Sequence, residues 1–415
     1  MNKETEQYPS FRWIVLGVAW LAMVGMGWVV FLTPALAYDL VPDLGLTPAQ
    51  ITLIFTAPYL MGIFFNMPGG ALGDRYGIRP IVGMAVVIAG LSTIARAWVS
   101  NFGGMFALSC VFGIGNSVAF PNLPKLVSIW FPPKEAGLAS GIYYTAFMVG
   151  IGVGLATSSW FGGWRPAFLY TGIVLTALSL LWLLIGRSTP KGAQKSETTS
   201  IIDGIRVAVG SKNIWLLGLS FFLMTGGALG LSSNLPEALI NIRSVSPQAA
   251  GTITSLMTFA SIPGTILLPM ISDKVGLRKP FVYAGAIAAS ICYYFAWQLA
   301  PDLATNILFI VGGFISSGIS PILLTFPMEC KEFGQEYVAS ASGVAAAMGN
   351  AGGFLLTFLV ITPIMAARTS AAYDMGFLVS LLLIAVGGLV IIVLKETGAR
   401  AGRANKKSIS EPAAP

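Results

Sequence analysis

Apolar residues in this chain run in blocks of about twenty, and polar residues are confined to short breaks between them. The blocks fall at 13–37, 50–73, 80–99, 103–130, 136–161 and 165–185, and resume after a polar stretch at 214–239, 250–271, 280–299, 307–328, 339–366 and 374–394. A helix rises 1.5 Å per residue, so about 20 apolar residues cross a hydrocarbon core about 30 Å thick. Lipid offers no partner to backbone N–H and C=O groups, which leaves the helix as the structure for such a run. The pattern predicts an all-α polytopic membrane protein of twelve transmembrane helices. It divides into a tail (1–12), a six-helix bundle (13–186), a linker (187–213), a second six-helix bundle (214–394) and a closing tail (395–415). The first block follows a polar start and exceeds the apolar core of a cleavable leader, so it reads as span 1.

Composition agrees with this division. Of 415 residues, 55% are hydrophobic and 10% charged, against about 25% charged in soluble domains. The net charge of +7 does not point to nucleic acid, because the bases sit in short connections and tails. Nineteen of the 24 lysines and arginines lie on the side of the termini, the even-numbered turns and the linker. Arg96, Arg165, Arg243 and Arg368 lie on the other side, and Lys125 falls inside a span. By the positive-inside rule, both termini are expected in the cytoplasm of a multi-pass cell-membrane protein. The chain has no histidine, and Cys110, Cys292 and Cys330 are too scattered for a metal set or a disulfide framework. No metal, cofactor or catalytic set is expected, nor is there a phosphate-binding loop for a primary pump. The expected partners are a small-molecule substrate and the lipid bilayer, and the expected state is a monomer.

The two halves echo each other. GALGDRYGIRP (70–80) and PMISDKVGLRKP (269–280) share a skeleton of acid, base, glycine and arginine. Pro34 and Pro236 stand 202 residues apart, as do the Ser140–Gly141 and Ser342–Gly343 pairs. Parallel repeats of this kind belong to transporters that hold substrate near the midplane. At these corners the chain resembles the major facilitator superfamily. Gly70, Asp74, Arg75, Gly77 and Arg79 match its loop motif, and Ile78 stands where a base is usual. Asp273, Lys274, Gly276, Arg278 and Lys279 match in the second copy, with Pro269 in place of the leading glycine. The resemblance implies transport by alternating access. It also implies that each aspartate latches the cytoplasmic gate against the opposite half; for Arg79, Lys274 and Lys279 the plainer reading is topogenic charge.

Charged residues within spans are candidates for function. Lys125 and Glu329, near corresponding ends of spans 4 and 10, are candidates for a gating pair, although Lys125 is also placed to snorkel. Glu237, ending span 7, is a coupling or gate candidate or a plain helix-end charge. The midplane carries Trp28, Asn66, Asn116, Tyr143, Tyr144 and Asn350. An amide in hydrocarbon must face protein or water, so Asn66 and Asn116 read equally as ligand contacts or helix ties. Asn350, in GNAGG, reads first as packing. In the family resembled, spans 1, 4, 7 and 10 line the cavity.

WFPPKEAGLASG (130–141), GWRPAF (163–168) and MGNAGG (348–353) are similar to transporters of small inorganic and organic anions, including the nitrate/nitrite and cyanate groups. Nitrate carriers of the family place arginines in spans 2 and 8. Residues 51–70 and 251–270 contain none. Span 5 also lacks the Gly-Pro pair of drug/proton antiporters. A small organic anion is therefore the expected substrate, with proton-linked symport or facilitated movement both open. Inorganic anion transport, drug or metabolite efflux and a non-transporting sensor are the alternatives.

Overall fold

The computed structural model describes residues 10–189, 206–207, 209–329 and 338–397. Among them twelve helices are long and apolar enough to cross a membrane, and there is no strand. We label them α1 (Arg12–Val30), α2 (Pro48–Tyr76), α3 (Ile78–Arg96), α4 (Phe102–Ala119), α5 (Pro133–Thr157), α6 (Trp164–Ile185), α7 (Lys212–Asn241), α8 (Pro247–Val275), α9 (Lys279–Gln298), α10 (Leu303–Glu329), α11 (Val338–Leu356) and α12 (Ser370–Val390).

Three blocks break where one helix was expected. The 13–37 block stops at Val30 and continues as short helices Leu32–Ala35 and Ala37–Leu44. Pro34 has no N–H for the Val30 carbonyl, and its ring crowds that carbonyl. The 103–130 block stops at Ala119 and restarts as Asn122–Trp130 around Pro121. The 339–366 block passes from α11 through a π turn (Thr357–Ile361) into a short helix, Thr362–Met365, that contains Pro363.

Helix starts are set locally. Thr47 and Gln50 form a reciprocal capping box at α2, with Pro48 behind it, and Asn101 Oδ1 accepts the Gly104 N–H at 2.8 Å at α4. Faces follow the solvent. On α6, Tyr170, Ile173, Val174, Leu180 and Leu184 point outward in a helical stripe, while Ala167, Thr171, Ser179 and Trp182 point inward. The inner face mixes small and hydroxylated residues with the large apolar Trp164, Phe168, Leu175 and Trp182, and the outer stripe of large apolar residues suits lipid.

The residues cluster into two units. The first takes the described part of Met1–Glu197, plus Gly230–Phe259 and Thr357–Gly376. Within it α1 packs on α5 and α6, α2 on α4, and α3 on α4 and α6. The α1–α5 crossing is close because glycine meets glycine. A Cβ on Gly150 would stand 2.9 Å from Gly27 Cα and 2.8 Å from Trp28 N. Connections at one end are tied by the GWRPAF motif. Trp164 Nε1 donates to Asp43 Oδ2 at 2.9 Å, Arg165 Nη2 reaches the same oxygen at 3.2 Å, and Arg165 Nη1 donates to the carbonyls of Ala97 and Val99 at 3.0 Å.

The second unit takes the described part of Thr198–Leu229, Ala260–Leu356 and Phe377–Pro415. Hydroxyls cross-link its helices. Ser220 donates to the Gly387 carbonyl at 2.8 Å, Ser290 to Leu381 at 3.1 Å and Ser317 to Ser261 at 2.9 Å.

Candidate functional site

The two corners are built alike. Gly77 and Gly276 take positive φ values of 91° and 75°, which open the turn after α2 and α8. Each corner then grips the last helix of its own half. Arg79 Nε donates to the Leu183 carbonyl at the end of α6 at 2.9 Å, and Nη2 bonds the same oxygen. Arg79 N–H in turn donates to Ser188 Oγ at 3.0 Å. In the second copy, Lys279 Nζ donates to the Ile392 and Leu394 carbonyls at 2.6 and 2.7 Å, and Glu396 accepts the backbone N–H groups of Arg278 and Lys279 at 2.8 and 3.1 Å. These bases satisfy carbonyls that a helix end leaves without partners, a role that topogenic charge does not include. Asp273 forms an ion pair with Arg278 of its own corner. The side chains of Asp74 and Glu329 lie outside the described residues. Gly70 packs loosely, with Pro121 as its near neighbour, and Arg75 lies over the Tyr76 ring.

Inside the first unit, three of the predicted residues share one feature. Trp28 Nε1, Tyr143 OH and Asn116 Oδ1 are buried and have no hydrogen-bond partner among the described residues. A stripe on α5 relates them. Tyr143, Phe147, Gly150 and Gly154 recur at helical spacing on one face. Gly150 and Gly154 lie against the backbone of Trp28, and Gly27 lies against the Phe147 carbonyl. Phe120, one turn beyond Asn116 on α4, meets the rings of Tyr143 and Phe147 at 6.3 and 5.9 Å. Tyr144 stacks obliquely on Tyr143 at 4.7 Å but is itself exposed. The indole N–H only donates, the phenol donates or accepts, and the amide oxygen accepts. The two donors stand apart along α5: Trp28 lies against Gly154, and Tyr143 is eleven residues earlier, about 16 Å along the helix axis.

The other candidates lie apart from this group. Asn66 and Asn350 are half-buried, Asn350 in the second unit. Lys125 is half-buried on the short helix after the break at Pro121, not on the continuous span expected. Glu237 forms an ion pair with Arg368 at 3.2 Å.

Two buried polar residues escaped the sequence reading. Asn122 Nδ2 donates to the Gly69 and Val118 carbonyls at 2.9 and 2.8 Å and so clamps α2 to α4, where Gly69 and Gly73 let the helices meet. The signal available was a pair of glycines four apart facing a polar residue in the neighbouring block. Arg96, counted with the connections, is 2% exposed. Its guanidinium lies 5.2 Å from the Phe112 ring and 5.4 Å from the Phe168 ring, in cation–π contact with both. Its signal was its position inside the third apolar block.

Twelve apolar helices in echoing halves are the arrangement of a membrane carrier of the parallel-repeat type. The family model described as Major Facilitator Superfamily matches residues 15–357, and the chain belongs to that superfamily. It is 23% identical over 378 residues to the probable nitrate/nitrite transporter NarK2 of Mycobacterium tuberculosis, covering 89% of this chain and 92% of the relative. It is 24% identical over 379 residues to the probable galactarate/D-glucarate transporter GudP of Bacillus subtilis, covering 77% and 80%. Among solved structures, a bacterial homolog of the human lysosomal transporter Spinster, inward-facing and occupied, superimposes with a TM-score of 0.73 at 16% identity, over 97% of this chain and 99% of that one.

Proposed function

We propose that this protein is a secondary transporter that moves a small organic anion by alternating access. The observation that carries the reading is the Tyr143 hydroxyl, buried on α5 without a partner among the described residues. Buried donors are matched in nearly all folded proteins, so an unmatched one in a carrier points to a ligand rich in acceptors. A carboxylate supplies acceptor oxygens and no donor when ionised. Lys125, five residues beyond Phe120 in the sequence, is the lysine nearest to this stretch of chain. GudP, whose name assigns it a sugar diacid, supports the organic side of this choice. The name of NarK2 supports an inorganic anion instead, but residues 51–70 and 251–270 hold no arginine to grip one.

We further propose two six-helix bundles at 13–186 and 214–394, with both termini cytoplasmic, on the strength of the nineteen-to-four distribution of bases. Asp74 and Asp273 serve the cytoplasmic gate in this reading. The test is a thermal-shift screen of the purified protein against small carboxylates, inorganic anions and organic cations. Stabilisation by carboxylates supports the reading, and a response to inorganic anions alone transfers it to the nitrate-like alternative.

A further inference from the structure

One end of the first unit carries an ion pair that the anion site does not use. Glu237 lies one turn before the end of α7, with its side chain 11% exposed, and its Oε1 is 3.2 Å from Arg368 Nη2. Arg368 sits in the α11–α12 connection with a φ of 50°, a conformation that side chains disfavour. The same connection holds Thr362, whose Oγ1 lies 2.8 Å from Thr52 Oγ1, across 310 residues of sequence, and 2.8 Å from the Thr357 carbonyl of its own turn. Thr52 Oγ1 in turn donates to the Pro48 carbonyl at 3.0 Å in the first turn of α2. A cavity of about 20 Å³ lies among Thr52, Asn234, Glu237, Thr362, Arg368 and Tyr373, room for about one water. The charged or titratable groups lining that cavity with Glu237 are Arg368 from the connection and Tyr373 from α12. Pro48, Ile51 and Thr52 of α2 do not titrate. On its own helix, Asn241 Nδ2 approaches Glu237 at 3.5 Å.

We propose that Glu237 is a proton-binding site whose ionised form shuts this end of the carrier and whose protonated form releases it. A carboxylate this buried keeps its charge only with a cation beside it. That cation holds the α11–α12 connection, and the connection places Thr362 on Thr52, joining the second half of the sequence to the first. Protonation removes the charge that faces the Arg368 guanidinium. The connection then relaxes, and its packing against α2, which includes the Thr362–Thr52 contact, loses its support. Acid on this side therefore opens this end, and closure expels the proton. The inference needs the alternating-access fold and not the choice of an organic anion.

The test follows accessibility, not flux, so it stands apart from the substrate screen. Ile51 is buried and lines the cavity, whereas Ala49 is exposed on the same helix. Ile51→Cys and Ala49→Cys proteins in nanodiscs are labelled with a membrane-impermeant maleimide, and their rate ratio cancels the intrinsic thiol chemistry. The ratio is expected to rise about fivefold or more between about pH 8 and about pH 5.5, the response to a population shift of about 1 kcal/mol. In the Glu237→Gln background it is expected to be high at both. A flat ratio in the Glu237 background, or a low and still pH-dependent ratio with Gln, overturns the proposal. Hydrogen exchange of residues 357–376 in the unsubstituted protein, corrected for intrinsic rates, should quicken on acidification; no change there also overturns it.

Discussion

Replacing Tyr143 by phenylalanine removes one oxygen and leaves the ring. Tyr143 is 3% exposed, and its hydroxyl has no partner among the described residues. The phenylalanine keeps the ring contacts to Phe120 and Tyr144. A buried polar atom left unmatched costs about 1–3 kcal/mol, so ligand-free stability should hold or rise by up to that amount. Binding should behave oppositely. A hydrogen bond from this hydroxyl to a carboxylate contributes about 1.5–3 kcal/mol, and each 1.4 kcal/mol is tenfold, so Kd should weaken about 10- to 150-fold. Calorimetry with a carboxylate that stabilises the parent, beside thermal unfolding without ligand, reads both quantities. An unchanged Kd would refute the assignment of Tyr143 to the ligand. A fall in ligand-free stability would instead give the hydroxyl a structural role and remove the argument from an unmatched donor.

Glycines of one helix should separate cleanly by thermal unfolding. Gly150→Ala drives a methyl into the backbone of α1 and should cost about 1–3 kcal/mol; Gly141→Ala meets nothing within 4 Å and should gain about 0.5–1 kcal/mol from helix propensity. Arg79→Gln and Lys279→Gln each remove a carbonyl cap near the surface, and each should lower stability by about 1 kcal/mol or less, by similar amounts if the corners are equivalent. Burial, with the Asp43 charge second, raises the Asp39 carboxyl above the ordinary carboxylate range. The folded state therefore binds that proton more readily than the unfolded chain, and stability from this group grows as pH falls toward the ordinary range. Asp39→Asn should stabilise at neutral pH and lose that advantage in acid, as a pH series of unfolding curves would show. Asp74→Asn should impair uptake while surface expression persists, and full uptake would remove the latch.

The twelve blocks were legible because lipid imposes one rule on every spanning segment, that its backbone pair internally. Where a helix breaks was not. Pro34 and Pro121 interrupt their blocks, while α2 runs through Pro58 and Pro68 and α8 through Pro263 and Pro269. Proline alone does not separate the two cases within a single segment. Close packing was legible as glycine content but not glycine by glycine. Gly141 and Gly150 look alike in sequence, and only tertiary contact shows that Gly150 faces α1. The midplane list held Trp28, Asn116 and Tyr143 alongside Asn66, Tyr144 and Asn350 with nothing to rank them; the α5 stripe and the missing partners do so. Arg96 was misplaced because a charge near the end of an apolar block resembles a connection residue. Two phenylalanines on other helices, Phe112 and Phe168, make its burial tolerable.

Counterflow in proteoliposomes puts the central claim to its most direct test. Purified protein is reconstituted with a high internal concentration of a carboxylate chosen by thermal shift, and a trace of the same labelled carboxylate is added outside. The account predicts transient accumulation of label that saturates with concentration, is competed by related carboxylates and not by organic cations, and weakens with Tyr143→Phe. Saturable binding with no accumulation would contradict it and make the protein a sensor built on a carrier fold.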